Sequence, residues 1–295
     1  MAVERQAGVV RAYWRLARPH HWVKNGFVLT GLLFGHVAGD SGYVAAAVAA
    51  AVAFCLVSSA VYAFNDVFDR ASDRAHPDKS GRPVASGEIS PRAAAAFSTL
   101  LASAGLVLGA WAGAWVAAIL ALYAAINLAY SGGLKRVPVV DVAIIAAGFL
   151  LRILAGTAGI GIEPSRWLLA CALLLTLFLG FAKRRAELAQ FIDAAAERRP
   201  VLGIYSLRFL DGAVLFCAGG LLAAYAMYTI DPGTAVLHGT GLLPTLPFVA
   251  LGTFRTLYRL HFLGGGGDPV LELLRDPWML IAAGGWIASV VWLVG

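Results

Sequence analysis

The sequence predicts an all-α protein that crosses a membrane repeatedly. Mean hydropathy is +0.76, 60% of the residues are hydrophobic and only 14% are charged, against about 25% charged in a soluble domain. Apolar runs of about 18 residues or more read as membrane spans, and they recur along all 295 residues. Lysine and arginine gather on alternate connections between these runs, as the positive-inside rule expects.

Nine spans follow, at 25–39, 43–65, 93–110, 113–131, 138–158, 166–184, 208–230, 242–262 and 271–293. The first is short for a crossing, which suits a tilted, broken or partly embedded segment. Pro19, Pro91, Pro138, Pro164, Pro200, Pro232 and Pro277 fall near span ends, where a missing N–H costs little. Gly264 to Gly267 form a flexible connector. No internal repeat is evident, so 1–295 reads as one helical bundle and a single domain. The N-terminus is arginine-rich without a cleavable signal pattern, so the first span is expected to remain as an anchor. Cys55, Cys171 and Cys217 lie inside apolar runs with no ligand spacing and read as small apolar residues.

All the basic residues except Arg152 and Arg166 lie on the N-terminal arm, on alternate connections or toward the span ends that adjoin them, among them Arg198 and Arg199 after the sixth span. This sets the N-terminus cytoplasmic and the C-terminus extracytoplasmic. The net charge of +6 is therefore an excess on one face of a lipid bilayer, and no nucleic acid partner is expected.

The stretch Tyr62 to Pro83, YAFNDVFDRASDRAHPDKSGRP, breaks the apolar pattern. On a helix, Asp66, Asp69 and Asp73 stand at i, i+3 and i+7 and share one face, with Asn65 one turn before Asp69. Like charges so placed repel, and a membrane edge adds a desolvation cost. Such a row of oxygen ligands without histidine or cysteine suits Mg²⁺, which is usually shared between one or two carboxylates and substrate phosphates. Lys79 and Arg82 follow closely and would contact further phosphate oxygens. The combination points to a diphosphate that leaves as pyrophosphate. No Walker loop accompanies it.

Asn65-Asp66-x-x-Asp69-x-x-x-Asp73 resembles the first aspartate-rich motif of the UbiA-type membrane prenyltransferase superfamily. The match extends to Arg18-Pro19-His20-His21-Trp22-Val23-Lys24-Asn25 and to Tyr130-Ser131-Gly132-Gly133-Leu134-Lys135. Longer segments, VVDVAIIAAGFLLRILAG, FLGFAKRRAEL and YRLHFLGGGGDPVLELLRDP, are similar to the branch of decaprenyl-phosphate phosphoribosyltransferases. The resemblance implies a UbiA-like bundle with a polar active site on the cytoplasmic side of a bacterial plasma membrane. It implies Mg²⁺-dependent transfer of a 5-phosphoribosyl group from phosphoribosyl pyrophosphate to a polyprenyl phosphate, which in actinobacteria feeds arabinan building for the cell wall. Asp66, Asp69 and Asp73 are then metal ligands assisted by Asn65. Arg18, Lys24, Asn25, Lys79, Arg82, Tyr130, Lys135, Asp141, Arg152, Lys183, Arg184 and Glu187 become substrate contacts.

One departure matters. Enzymes of this kind that act on prenyl diphosphates generally carry a second aspartate-rich motif after the sixth span. Here the region reads Lys183-Arg184-Arg185-Ala186-Glu187, with Glu187 its one acid. That disfavours the alternative, transfer of a prenyl group from its diphosphate to an aromatic acceptor, and favours a basic grip on phosphate. Lys183 and Glu187 also have the spacing of a helix surface pair.

Two polar residues lie deeper. Arg152 is about 20 Å along its helix from Pro138 and is a functional candidate by its depth, or a structural partner within the bundle. Asp141 stands in a first helical turn, where an acid suits the helix dipole, or contributes to the polar site. His238 and His261 stand outside these groups. A transporter would gather its polar groups near the midplane; here most gather at one edge. The sequence leaves self-association into a homo-oligomer open.

Overall fold

Backbone N–H and C=O groups cannot stay unpaired in lipid, so an apolar chain of this kind must form helices. The computed structural model describes residues 2–35, 37, 39–77, 79–190, 200–231, 241–267 and 269–294, and among them only helices, turns and loops occur. Arg198, Arg199, Pro232 and His238 lie outside the described residues. The chain divides into two compact units, one of 1–134 with 151–164 and one of 135–150 with 165–295.

The first unit opens with α1 (Ala2–Ala17), a 3₁₀ segment (Pro19–Leu29) and the short α2 (Thr30–Phe34). Then come α3 (Ser41–Phe68), α4 (Arg70–Ala75), α5 (Pro83–Ser86), α6 (Pro91–Ala112) and α7 (Ala114–Gly132). Helix α8 (Val140–Ala155) gives its last residues to this unit and its first to the other. The second unit continues with α9 (Arg166–Gln190), α10 (Leu207–Ile230), α11 (Leu246–Phe262), α12 (Pro269–Arg275) and α13 (Pro277–Val294).

Among the described residues, six helical stretches are long and apolar enough to cross a membrane: Ser41–Phe68, Pro91–Ala112, Ala114–Gly132, Val140–Ile160, Arg166–Gln190 and Leu207–Ile230. They match the expected spans from 43–65 through 208–230. The other three expected spans take different forms. Residues 25–39 hold the end of the 3₁₀ segment and the five-residue α2. Residues 242–262 hold a 3₁₀ turn at Leu243–Thr245 and the 17-residue α11. Residues 271–293 are divided at Asp276, where Pro277 opens a new helix.

Local chemistry explains the helix ends. Asp40 caps α3 by accepting from the Gly42 N–H at 2.7 Å, and Ser90 caps α6 by accepting from the Ala93 N–H at 3.2 Å, the side chains that N-caps favour. Lipid offers apolar helices no hydrophobic drive to associate, so close packing must do it, and small residues permit that. In the first unit Ala50, Ala53, Phe54 and Val57 of α3 are buried against Val116, Leu120 and Tyr123 of α7. A Cβ on Gly105 of α6 would lie 2.7 Å from Val57 Cγ2. Still closer are the 3₁₀ segment and the end of α8: a Cβ on Gly156 would lie 1.5 Å from the Val28 carbonyl oxygen. In the second unit Phe178 and Phe181 of α9 pack with Leu210, Val214 and Cys217 of α10. The three cysteines are free thiols.

Candidate active site

In the first unit the aspartate row sits where α3 ends. Asp69 is the junction: its N–H bonds the Asn65 carbonyl at 2.8 Å, and its own carbonyl accepts from Asp73 N–H at 2.8 Å. The helical register survives the change from α3 to α4, so Asp66 and Asp73 reach the same place. Both are buried. Neither is bare: one nitrogen, Arg82 Nη1, donates to Asp73 Oδ2 at 2.7 Å and to Asp66 Oδ1 at 3.3 Å. Arg18 Nη2 donates to the same Asp66 Oδ1 at 2.5 Å.

The backbone aims both arginines. Arg18 adopts left-handed angles, φ 51° and ψ 57°, which cost roughly 1–2 kcal/mol outside glycine. Pro19 keeps it off the right-handed helix, so α1 stops at Ala17 and the side chain turns toward α3. Its guanidinium also lies 5.3 Å from the Tyr62 ring centroid, a cation–π distance. Tyr62 precedes Asp66 by one helical turn, a spacing that could have flagged it. Arg82 is extended ahead of Pro83, and the loop before it is strapped to α1. Arg15 Nη1 donates to both Glu88 carboxylate oxygens at 3.1 Å, and its Nη2 to the Gly81 carbonyl at 2.5 Å.

Other predicted residues of this unit have defined surroundings. Asn65 Oδ1 accepts from the Ser131 hydroxyl at 2.6 Å, joining α3 to α7. Asn25 is buried: its Nδ2 donates to Cys55 Sγ at 3.2 Å and Ser58 Oγ at 3.3 Å. Its Oδ1 accepts from Arg152 Nε at 2.8 Å. Arg152, also buried, donates from Nη2 to the Tyr123 hydroxyl at 3.1 Å and lies over the Tyr123 and Phe54 rings, 4.9 and 5.5 Å from their centroids. Both residues belong to the interior of the unit. Lys24, Lys79 and Tyr130 are half-buried.

In the second unit Asp141 is wholly buried. It accepts from Arg184 Nε and from the Tyr205 hydroxyl, each at 2.7 Å. The Tyr205 oxygen in turn accepts from the Val139 N–H at 2.6 Å, holding a β-branched residue at φ 69°. Burial, helped by the bond to Asp141, pushes the Tyr205 phenol up to about 12 against the opposing effect of the Val139 N–H. Arg184, expected as a phosphate contact, also donates to Glu187 at 3.0 Å and is a buried cation engaged by two acids. Lys183 is exposed and Lys135 half-buried. His261 is not isolated: its Nε2 lies 3.2 Å from Asp211 Oδ1, which also accepts from Arg185 Nε at 3.0 Å.

The aspartate row offers only carboxylate oxygens, the donor type a hard divalent ion takes. Among the described residues no three His, Cys, Asp or Glu groups stand close enough to hold an ion by themselves. Mg²⁺ does not need three, because waters and substrate phosphates complete its shell. Two carboxylates gathered at one arginine nitrogen fit that chemistry.

An all-helical, multi-pass membrane protein with buried carboxylates and arginines at a helix end is the class that fold and site define. The chain belongs to the UbiA prenyltransferase family, whose model matches residues 26–269. It is 32% identical to the decaprenyl-phosphate phosphoribosyltransferase of Mycolicibacterium smegmatis, covering 96% of this chain and 91% of that one. The enzyme of the same description from Corynebacterium glutamicum is also 32% identical, over 94% of this chain and 85% of its own. In fold the chain is similar to a UbiA homolog from Archaeoglobus fulgidus solved with DMAPP and Mg²⁺, with a TM-score of 0.69, 20% identity and coverage of 96% and 98%.

Proposed function

We propose that the protein transfers a 5-phosphoribosyl group from phosphoribosyl pyrophosphate to a polyprenyl phosphate and releases pyrophosphate. The observation that carries this is the likeness, over nearly the whole chain, to two phosphoribosyltransferases that use decaprenyl phosphate by name. The replacement of a second aspartate motif by Lys183-Arg184-Arg185 agrees with it.

In this reading the bond from the ribose anomeric carbon to the pyrophosphate oxygen breaks, and its electron pair leaves with pyrophosphate. A new bond joins that carbon to an oxygen of the lipid phosphate. The acceptor is already anionic at neutral pH, so it needs orientation rather than a general base. Asp66 and Asp73, with Asp69, would hold Mg²⁺, which supplies neutralisation of the leaving pyrophosphate. Arg18 and Arg82 hold the two buried carboxylates in place and present their remaining N–H groups to phosphate oxygens. Lys24 and Lys79 would neutralise further phosphate charge; Lys135 and Lys183 are proposed as substrate contacts from the sequence motifs that carry them. Asn25, Arg152, Asp141 and Arg184 serve as framework. The lysine and arginine bias supports an N-terminus on the cytoplasmic side of a bacterial plasma membrane, with the product entering arabinan precursor synthesis.

Purified full-length protein in detergent, given labelled phosphoribosyl pyrophosphate and polyprenyl phosphate, tests the reading by mass spectrometry of the lipid product. Phosphoribose on the lipid phosphate is expected. In a parallel reaction given a prenyl diphosphate and an aromatic acceptor, formation of a prenylated ring, with no phosphoribosylated lipid in the first, would replace this function with the other chemistry of the family. Full turnover by Asp66→Asn at saturating Mg²⁺ would remove the metal role.

A further inference from the structure

Helix α1 has three faces with three chemistries. Ala12, Leu16 and Ala17 are buried, and the first two join a cluster with Ala63 near the end of α3 and Ala94 near the start of α6. That packing sets α1 beside the ends of two membrane-length helices, at a membrane boundary. Arg11 and Arg15 form a second, charged face; Arg15 is tied to Glu88, while Arg11 is exposed. The third face shows Val10 and Trp14, one turn apart and 69% and 62% exposed. This face does not end with the helix. The Trp14 ring meets the Trp22 ring edge-on at 6.0 Å, and Val23 beside it is 73% exposed.

An aqueous surface gives such a row nothing to gain, because it holds two large apolar side chains and a tryptophan in water. A bilayer interface accommodates all three faces together: apolar anchors among the acyl chains, tryptophan at the headgroup level and arginine against anionic headgroups. We propose that α1 is an interfacial helix that docks on a lipid surface, with Val10, Trp14 and Val23 as its membrane anchors and Arg11 as its headgroup contact. The charge favours lipid over a second copy of this chain: a self-complementary contact across a two-fold axis would set Arg11 against the same basic face. The docking also fixes the direction from which the chain enters Arg18, the residue whose left-handed turn follows the helix.

A nitroxide on Val10→Cys tests this in the full-length protein in nanodiscs, after subtraction of the signal from identically labelled wild type. Collision with oxygen should exceed collision with a water-soluble nickel chelate. A label on Arg11→Cys should show the reverse. Raising the anionic lipid from none to about a third should draw the Val10 label deeper, and Arg11→Gln should cancel that shift. Dominant nickel access at Val10 would overturn the proposal in favour of an aqueous face. Quantitative disulfide-linked dimers of Val10→Cys would overturn it in favour of a second copy. Spectral integrity of Trp14→Phe, a milder change at the same face, checks that the helix stays folded. None of these outcomes depends on which reaction the protein catalyses.

Discussion

Arg82 Nη1 stands 2.7 Å from Asp73 Oδ2 while also reaching Asp66 Oδ1 at 3.3 Å. A point on the loop after α4 thus fixes the distance between two carboxylates that the helix alone would leave to repel. Arg82→Ala removes the bridge and leaves Asp66 with Arg18 only. The expected loss of stability is on the order of 2–4 kcal/mol, discounted from the fully buried range because Arg82 keeps a face in water. Arg82→Lys should recover only part, since an ammonium lacks the planar fork. A double-mutant cycle with Asp73→Ala checks the pairing: the two losses should fall short of additive by about 1 kcal/mol or more. Strict additivity in thermal or denaturant melts would mean the bridge contributes nothing.

The second prediction concerns backbone approach. Gly156 has no room for a side chain, because its Cβ would lie 1.5 Å from the Val28 carbonyl oxygen, and a Cβ on Gly31 would lie 1.9 Å from the Gly156 oxygen. Both obstacles are backbone, which cannot swing aside. Gly156→Ala should therefore cost more than 4 kcal/mol or prevent folding, beyond the range of ordinary substitutions. Gly26→Ala in the same segment meets nothing within 4 Å and should be nearly silent. Yield of monodisperse protein and its melting temperature separate the two.

The Asp141 cluster gives a third prediction, with a sign in pH. Removing Asp141 strands Arg184 and Tyr205 in a buried place, so Asp141→Ala should cost on the order of 3–5 kcal/mol, and Asp141→Asn somewhat less. Tyr205 has an ordinary pKa near 10 in the unfolded chain and about 12 when folded. Its contribution is thus complete below about pH 10 and is lost as pH rises toward 12. Melts of wild type should fall across that window more steeply than melts of Tyr205→Phe. Parallel curves would show that the phenol does not titrate late.

These cases show which features a sequence can reveal. Six membrane-length helices among the described residues were legible because their apolar runs are long and, Arg152 apart, charged only toward their ends. Residues 25–39 were misleading for the opposite reason. Hydropathy records that they are apolar, but not that Gly31 and Gly156 let backbones touch, and it is that contact which accompanies the 3₁₀ segment and short α2. Asp66 and Asp73 could be paired from a seven-residue helical spacing. Arg18 is 48 residues from Asp66 and Tyr205 is 64 from Asp141, and no local period connects such partners. Arg184 read as a phosphate contact because it sits in a basic run, yet its burial beside Asp141 depends on how α8 meets α9.

The final prediction lies at the acid end and in the break between α12 and α13. Arg255 donates to Asp276 from Nε at 3.0 Å and from Nη2 at 2.8 Å, and Arg259 Nη1 adds a contact of 2.8 Å. Asp276 also caps α13, accepting from the Trp278 N–H at 3.0 Å. Bonds from Arg255 above all, then Arg259 and the Met279 N–H, hold its carboxyl well below the usual carboxylate range despite its desolvation. A depressed folded pKa means the stabilisation is present above about pH 4, the unfolded value, and disappears as pH falls through the folded one. Wild type should therefore lose melting temperature below about pH 4, while Asp276→Asn should start lower at neutral pH and change less on acidification. The two curves should converge in acid; if they stay parallel from pH 7 to pH 2, Asp276 does not hold its charge through these arginines.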